Sequence, residues 1–297
     1  MARTLVISNR KGGSGKSSTA VNVAAELAAQ GQRVLLVDLD TQGHCAVGLG
    51  VKPQRDMPTV HGFLAGRHDL RQAVVASSWP GLHLIPADPL FEHGGVGGNE
   101  AMLRQALVAE GLLADYDTVV LDTPPSLDGL LINALCAADR VLVPFVPHYL
   151  SGEGVRQLAR LLFRVASRGL NEQLKVLGFL PVMVDLRIGQ HREVNASLSH
   201  QFGAARLLPG IRNDIKVAEA FAVGKPVRVH APGSRAAADF AAAALLIDKF
   251  WLYARRRLTM TPVSPDACCA TPAPTQTPDA NPAQARDPQG SHPYSRT

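Results

Sequence analysis

Between an apolar run ending at Ser8 and a helical pattern starting at residue 16, the chain reads Asn9-Arg10-Lys11-Gly12-Gly13-Ser14-Gly15-Lys16-Ser17-Ser18-Thr19. Three glycines in four positions let a backbone wrap closely around a ligand. At a helix N-terminus the converging N–H groups suit an anion, and phosphate above all. In that setting Lys16 would reach the β- and γ-phosphates of a nucleotide, and the Ser17 hydroxyl would hold Mg²⁺. The general phosphate-loop pattern wants glycine at position 10, where this chain has Arg10. What the chain matches in full is the variant Lys-Gly-Gly-x-Gly-Lys-Ser, whose first lysine, Lys11, is surplus to holding one phosphate.

Carboxylates form the second candidate group. Asp38 and Asp40 close an apolar run two positions apart, so they project from the same side of a strand. Asp122 closes another such run. In an open α/β sheet the C-terminal ends of the strands gather at the ligand crevice. An aspartate at a strand end also serves as a turn or helix cap, and both roles remain open at this point.

These residues need a scaffold that brings strand ends together. Strands are expected at 4–9, 33–40, 82–87, 118–123, 140–147, 175–184 and 205–211, several almost wholly apolar, as parallel strands covered on both faces are. Helical patterns fall between them at 16–30, 100–113, 128–138, 150–168, 189–202, 214–223 and 234–256. Such alternation implies right-handed crossovers and a doubly wound, mostly parallel α/β sheet. The domain is expected over residues 1–258. Residues 259–297 contain eight prolines and no apolar periodicity, the composition of a disordered tail.

The chain of 297 residues shows no secretory leader, and its longest apolar run, 240–247, is under half of what a bilayer needs. Cys45, Cys136, Cys268 and Cys269 follow neither a disulfide nor a metal spacing, so a cytoplasmic location is expected. The net charge of +5 is uneven. Residues 1–150 hold 11 Lys/Arg against 14 Asp/Glu, whereas residues 151–258 hold 17 against 8. The second half therefore suits a polyanion. Within it Arg156, Arg160, Arg164 and Arg168 recur every four residues, a cationic stripe along one helix.

The variant loop resembles that of the ParA/MinD group of ATPases with a deviant Walker A motif, more closely the ParA side. The likeness continues through "VLLVDLDTQGH" (34–44), "VVLDTPPSL" (119–127), "LVPFVPHYLSGEGVRQL" (142–158), "MVDLRIGQHREV" (183–194) and "IKVAEAFAVGKPVRVHAPGSRAAADF" (215–240), in the family's order. It implies a P-loop NTPase fold and slow, partner-stimulated hydrolysis of ATP with Mg²⁺. Residues Lys11 to Ser18 would form the nucleotide loop. Lys11 would point across an ATP-dependent homodimer to the other subunit's phosphates, in the manner of an arginine finger. Asp122 would meet Mg²⁺ through water, Asp38 would support that shell, and Asp40 would orient the attacking water. Where the family often has Pro-Arg-Asn beside the base, this chain has Arg212-Asn213-Asp214. Asp214 would accept from the adenine amino group.

The same resemblance implies nonspecific DNA binding on the nucleoid, with Arg156, Arg160, Arg164, Arg187, Arg192, Lys216 and Arg235 as candidate contacts. A ParB-like protein or a cargo adaptor would stimulate hydrolysis. The cargo would be a plasmid, a chromosome origin, or an assembly such as a carboxysome or chemoreceptor cluster. The alternative is a MinD-like membrane-associated ATPase, for which "LLIDKFWLYARRRL" (245–258) has the ingredients of a basic amphipathic helix. The proline-rich residues after it and its fit as a closing core helix disfavour that reading. A metabolic amide-forming or reductase-type enzyme is a further rival, with no cysteine pair suited to an iron–sulfur cluster. A DNA-binding protein without activity would not need Lys11, Asp40 and Asp122 together.

Overall fold

The computed structural model describes residues 2–52, 54–91, 98–126, 129–148 and 151–259. In chain order the elements are β1 (Arg3–Ile7), α1 (Lys16–Ala29), β2 (Val34–Asp38), α2 (His44–Gly48), α3 (Val60–Leu64), β3 (Val75–Ala76) and β4 (Leu82–Ile85). There follow α4 (Met102–Ala109), α5 (Leu112–Asp115), β5 (Thr118–Asp122), α6 (Gly129–Ala137), β6 (Arg140–Phe145) and α7 (Ser151–Ser167). The last are β7 (Lys175–Pro181), α8 (Gly189–Phe202), α9 (Ile215–Ala222), α10 (Val227–His230) and α11 (Arg235–Thr259). One compact unit ends at Arg255, inside α11. From residue 260 on, the expected tail lies outside the described residues.

Seven strands form one sheet in the order β3-β4-β2-β5-β1-β6-β7. All pairings are parallel except that of the two-residue β3 with β4. This is a P-loop NTPase arrangement, with β1 flanked by β5 and β6 so that the loop after it opens at the centre. Alternate residues of each strand enter opposite cores. Leu5, Ile7, Val34 and Leu36 pack with α1 and α11, through Val23, Leu27, Phe240 and Trp251. Val6, Leu35, Val37 and Leu121 pack on the other face with α4, α6 and α7, through Leu103, Leu131 and Leu158. Burial on both faces is why the central strands carry unbroken apolar runs.

Two expectations need correction. Residues 205–211 do not form a strand. Ala204–Arg206 is a 3₁₀ turn, and the rest meets β7 through one isolated bridge, Phe179 with Leu207, and single N–H bonds from Leu208 to the Phe179 carbonyl and from Ile211 to that of Pro181. Pro209 has no N–H to give a ladder, so the contacts stay separate bonds on either side of it instead of a continuous strand. The helix expected at 100–113 is two helices, broken at Gly111, whose φ of 72° turns the chain between α4 and α5.

Candidate functional site

The phosphate loop is held from below by Asn9. This residue is 2% exposed; its Nδ2 donates to the carbonyl of Pro144 at 2.7 Å, and its Oδ1 accepts from the Lys11 N–H at 3.0 Å. The loop is thereby tied to β6. Gly13 and Gly15 adopt φ of 69° and 78°, the left-handed region where a side chain is strained. A β-carbon on Gly15 would also lie 3.1 Å from Val182 Cγ2. The loop keeps Gly12 and Gly13 exposed and Ser14 buried, with Ser17 and Ser18 half-buried.

The two lysines part company. Lys16 is 7% exposed, and burial pulls its ammonium below the usual range against the attraction of Asp122 and Asp40. Lys11 is exposed. Arg10, in place of the general pattern's glycine, turns away from the loop and donates to Gln157 Oε1 of α7 at 3.0 Å.

Strand register places Asp38 directly opposite Asp122, with Ile7 on the other side of Asp122. Asp38 is fully buried and accepts from the N–H groups of Asp40 at 3.1 Å and Cys45 at 2.9 Å. Burial, then the neighbouring Asp122 charge, drives its carboxyl well above the ordinary range. Asp122 is raised to about 6 by burial, while the Ser17 hydroxyl, the Cys45 thiol and Lys16 work against that rise. Its Oδ2 accepts from Cys45 Sγ at 3.3 Å, and its Oδ1 is buried without a hydrogen bond. An orphaned buried carboxylate oxygen costs free energy unless a cation or water meets it, so the donor set fits a hard divalent ion. Asp40, 8% exposed, spends one oxygen on the Gln42 N–H at 3.1 Å and lines the cavity above.

That cavity measures about 660 Å³ and is walled by the loop glycines, Lys16, Ser17, Asp40 and Pro124. It lies within the roughly 300–1,000 Å³ typical of small-molecule sites. A second cavity of about 360 Å³, lined by Ile211, Asn213, Asp214 and Ile215, shares Gly15, Ser18, Met183 and Phe221 with the first. Asp214 is therefore beside the loop, but its carboxylate caps α9, accepting from the Lys216 N–H at 3.1 Å and the Ala236 N–H at 3.4 Å. Those N–H groups hold it below the ordinary carboxylate range. Both oxygens are thus engaged before any base arrives.

Sequence reasoning missed Met183, Phe221 and Cys45. Met183 is a non-glycine residue at φ 53° that borders both cavities. Such backbone strain has no signature in residue spacing.

The candidate DNA contacts do not all cluster. On α7, Leu158, Leu161 and Val165 point into the core and Arg156, Arg160 and Arg164 are exposed, as is Arg168 just past its end. Arg168 pairs with Glu100 at 2.8 Å. Among the described residues no carboxylate pairs with Arg160 or Arg164. Elsewhere Arg187 is held by Asp185 at 2.7 Å and Lys216 by Glu219 at 2.7 Å. Arg192 donates to the Leu186 carbonyl, and Arg235 to that of Asn213 at 3.4 Å.

Comparison with known proteins adds a lineage to this geometry. A family model described as an AAA domain matches residues 2–176. The chain is 42% identical over 234 residues to the chromosome-partitioning ATPase Soj of Thermus thermophilus, spanning 78% of this chain and 90% of that protein. It is 38% identical over 233 residues to the chromosome partitioning protein ParA of Caulobacter vibrioides, spanning 77% and 87%. Among solved structures it is similar to cobyrinic acid a,c-diamide synthase from Mycobacterium smegmatis with bound ADP and magnesium. That match has a TM-score of 0.71 at 32% identity, over 86% of this chain and 97% of that one.

Proposed function

Because the chain belongs to the ParA/MinD family of ATPases, on its ParA side, we propose that it is an ATP hydrolase that dimerises around ATP, binds DNA without sequence preference and positions a cargo. The observation that carries this reading is the division of labour between the two lysines. Lys16 is buried near Asp40 and Asp122 while Lys11 is exposed on the same loop, which supports a reading in which Lys16 serves phosphate in its own subunit and Lys11 that of a second copy.

In this reading the loop amides and Lys16 bind the phosphates, and Gly15, Ser18, Met183 and Phe221 adjoin the base. Ser17 and Asp122 would hold Mg²⁺, with Asp38 fixing the turn that carries Asp40 through its bond to the Asp40 N–H. The ion supplies charge neutralisation at the phosphates. Asp40 orients the attacking water. Lys11, supplied by the other subunit, meets the charge that develops on the transferred phosphoryl group, so an isolated subunit turns over slowly. The DNA face is the arginine stripe of α7. A ParB-like or adaptor protein would stimulate hydrolysis by firming the dimer site. Cargo in this reading is a plasmid, a chromosome origin or a protein assembly. Among the described residues no helix is long and apolar enough to cross a membrane.

The test is the oligomeric state of Asp40→Ala by sedimentation. With Mg²⁺ and ATP it should be a stable dimer, with ADP a monomer. A monomer in excess ATP sinks the proposal. The name of the solved synthase favours a second reading, an ATP-dependent amide-forming enzyme, and size does not separate the two. Retention on DNA in ATP alone, with turnover needing no organic acid, would decide against it.

A further inference from the structure

Under the phosphate loop, three fully buried side chains from separate elements converge: Asp38 at the end of β2, Asp122 at the end of β5 and Cys45 in α2. One ligand atom of each, two carboxylate oxygens and the Cys45 sulfur, lies within 4.8 Å of the other two. A buried cysteine is commonly small apolar filler. This sulfur instead lies 3.3 Å from a carboxylate oxygen, and the same carboxylate keeps its other oxygen without a partner. Two facing carboxylates in a water-poor site repel one another, and a cation taking one oxygen of each relieves both, since the Asp38 oxygens keep a lone pair beside the N–H bonds from Asp40 and Cys45. Mg²⁺ takes oxygen ligands and makes no use of sulfur, whereas a thiolate selects borderline or soft ions.

We propose that Asp38, Cys45 and Asp122 form a site for a thiophilic divalent cation of the zinc class, and that its occupancy excludes Mg²⁺ and ATP by taking Asp122. On binding, the Cys45 S–H bond breaks and its proton passes to solvent as the sulfur–metal bond forms, with no change of oxidation state. Water completes the shell. The cation thus acts as a brake. The exclusion rests on the ATPase reading, whereas the metal site does not.

The experiment uses the full chain with Cys268 and Cys269 changed to serine, which removes the thiols near the C-terminus. Cadmium is titrated in without nucleotide and followed by thiolate-to-cadmium ultraviolet absorption. One equivalent should bind, and Cys136→Ser should leave the band in place. Cys45→Ser and Cys45→Ala, shown folded by circular dichroism, should each weaken binding more than about tenfold, the lower end of what even outer-shell partners cost. No band in the parent, or a band that survives both Cys45 substitutions, overturns the site. Mg²⁺ with ATP should suppress the band. If a fluorescent ATP analogue binds and the band is unmoved, the shared use of Asp122 is wrong. If the analogue does not bind, the ATPase reading fails while a Cys45-dependent band still upholds the metal site.

Discussion

Replacing Asn9 by alanine should separate the anchoring of the loop from its chemistry. The side chain makes a buried hydrogen bond to the Pro144 carbonyl at 2.7 Å and a part-buried one from the Lys11 N–H at 3.0 Å. Each contributes about 1 kcal/mol net, and a buried carbonyl left without its donor costs about 1–3 kcal/mol. The N–H of Lys11, an exposed residue, can turn to water, so the carbonyl dominates. The sum is a loss of about 2–4 kcal/mol in unfolding free energy, read from the urea midpoint at unchanged slope. Asn9→Asp keeps the acceptor for Lys11 but sets an oxygen against the Pro144 oxygen, so it should be no more stable than the alanine variant. Turnover in both should fall on the order of 10–100-fold, since a small displacement of Lys11 is enough for that. A loss under about 0.5 kcal/mol for Asn9→Ala, well below one net hydrogen bond, would refute the anchor.

Lys11→Ala should bind ATP normally in a filter assay yet lose turnover by about 10³-fold or more, the scale of a missing arginine finger. Mixing it with Asp40→Ala leaves one composite site with both groups, so part of the activity should return; none at any ratio would rule out the trans role. Changing Arg160 and Arg164 together to glutamate should abolish ATP-dependent DNA retention with ATP affinity intact, whereas charge reversal at Arg187, already held by Asp185, should do less. If both variants still bind DNA, the stripe is not the interface. Asp122 is raised from 3.8 to about 6, so between those values the native protein holds more protons than the unfolded chain. The carboxyl's contribution to stability is present below about 3.8 and is lost as pH rises through about 6. Without Mg²⁺, Asp122→Asn should therefore melt higher than the parent at neutral pH and lose that advantage toward acid pH; equal gains throughout would contradict the shift.

The central strands and the loop were legible because both rest on local chemistry: apolar runs long enough to be covered on two faces, and glycines that only a tight wrap requires. Local pattern failed at three places. At 205–211 the apolar residues fit a strand, but Pro209 cannot join a ladder. At Gly111 one left-handed residue divides a continuous helical pattern. The two residues of β3 are too few to show alternation. Lys16, Asp40 and Asp122 were findable as strand-end and loop residues, yet the pairing of Asp38 with Asp122 depends on a register set 84 positions along the chain. Cys45 joins them because α2, directly after β2, packs back on that strand and its Cys45 N–H bonds Asp38. Asp214 lies beside the loop as expected, and its carboxylate also caps α9, a second use that the spacing does not reveal.

The bond from Arg10 to Gln157 crosses 147 positions of sequence to join the loop to the helix with the arginine stripe. Whatever displacement a nucleotide passes through that bond, thermodynamic reciprocity obliges a polyanion on α7 to pass back. A molecule resting on DNA would then retain ATP more tightly by the same factor that ATP adds to its grip on DNA. In the proposed function, weakening either grip would weaken the other by the same equilibrium factor.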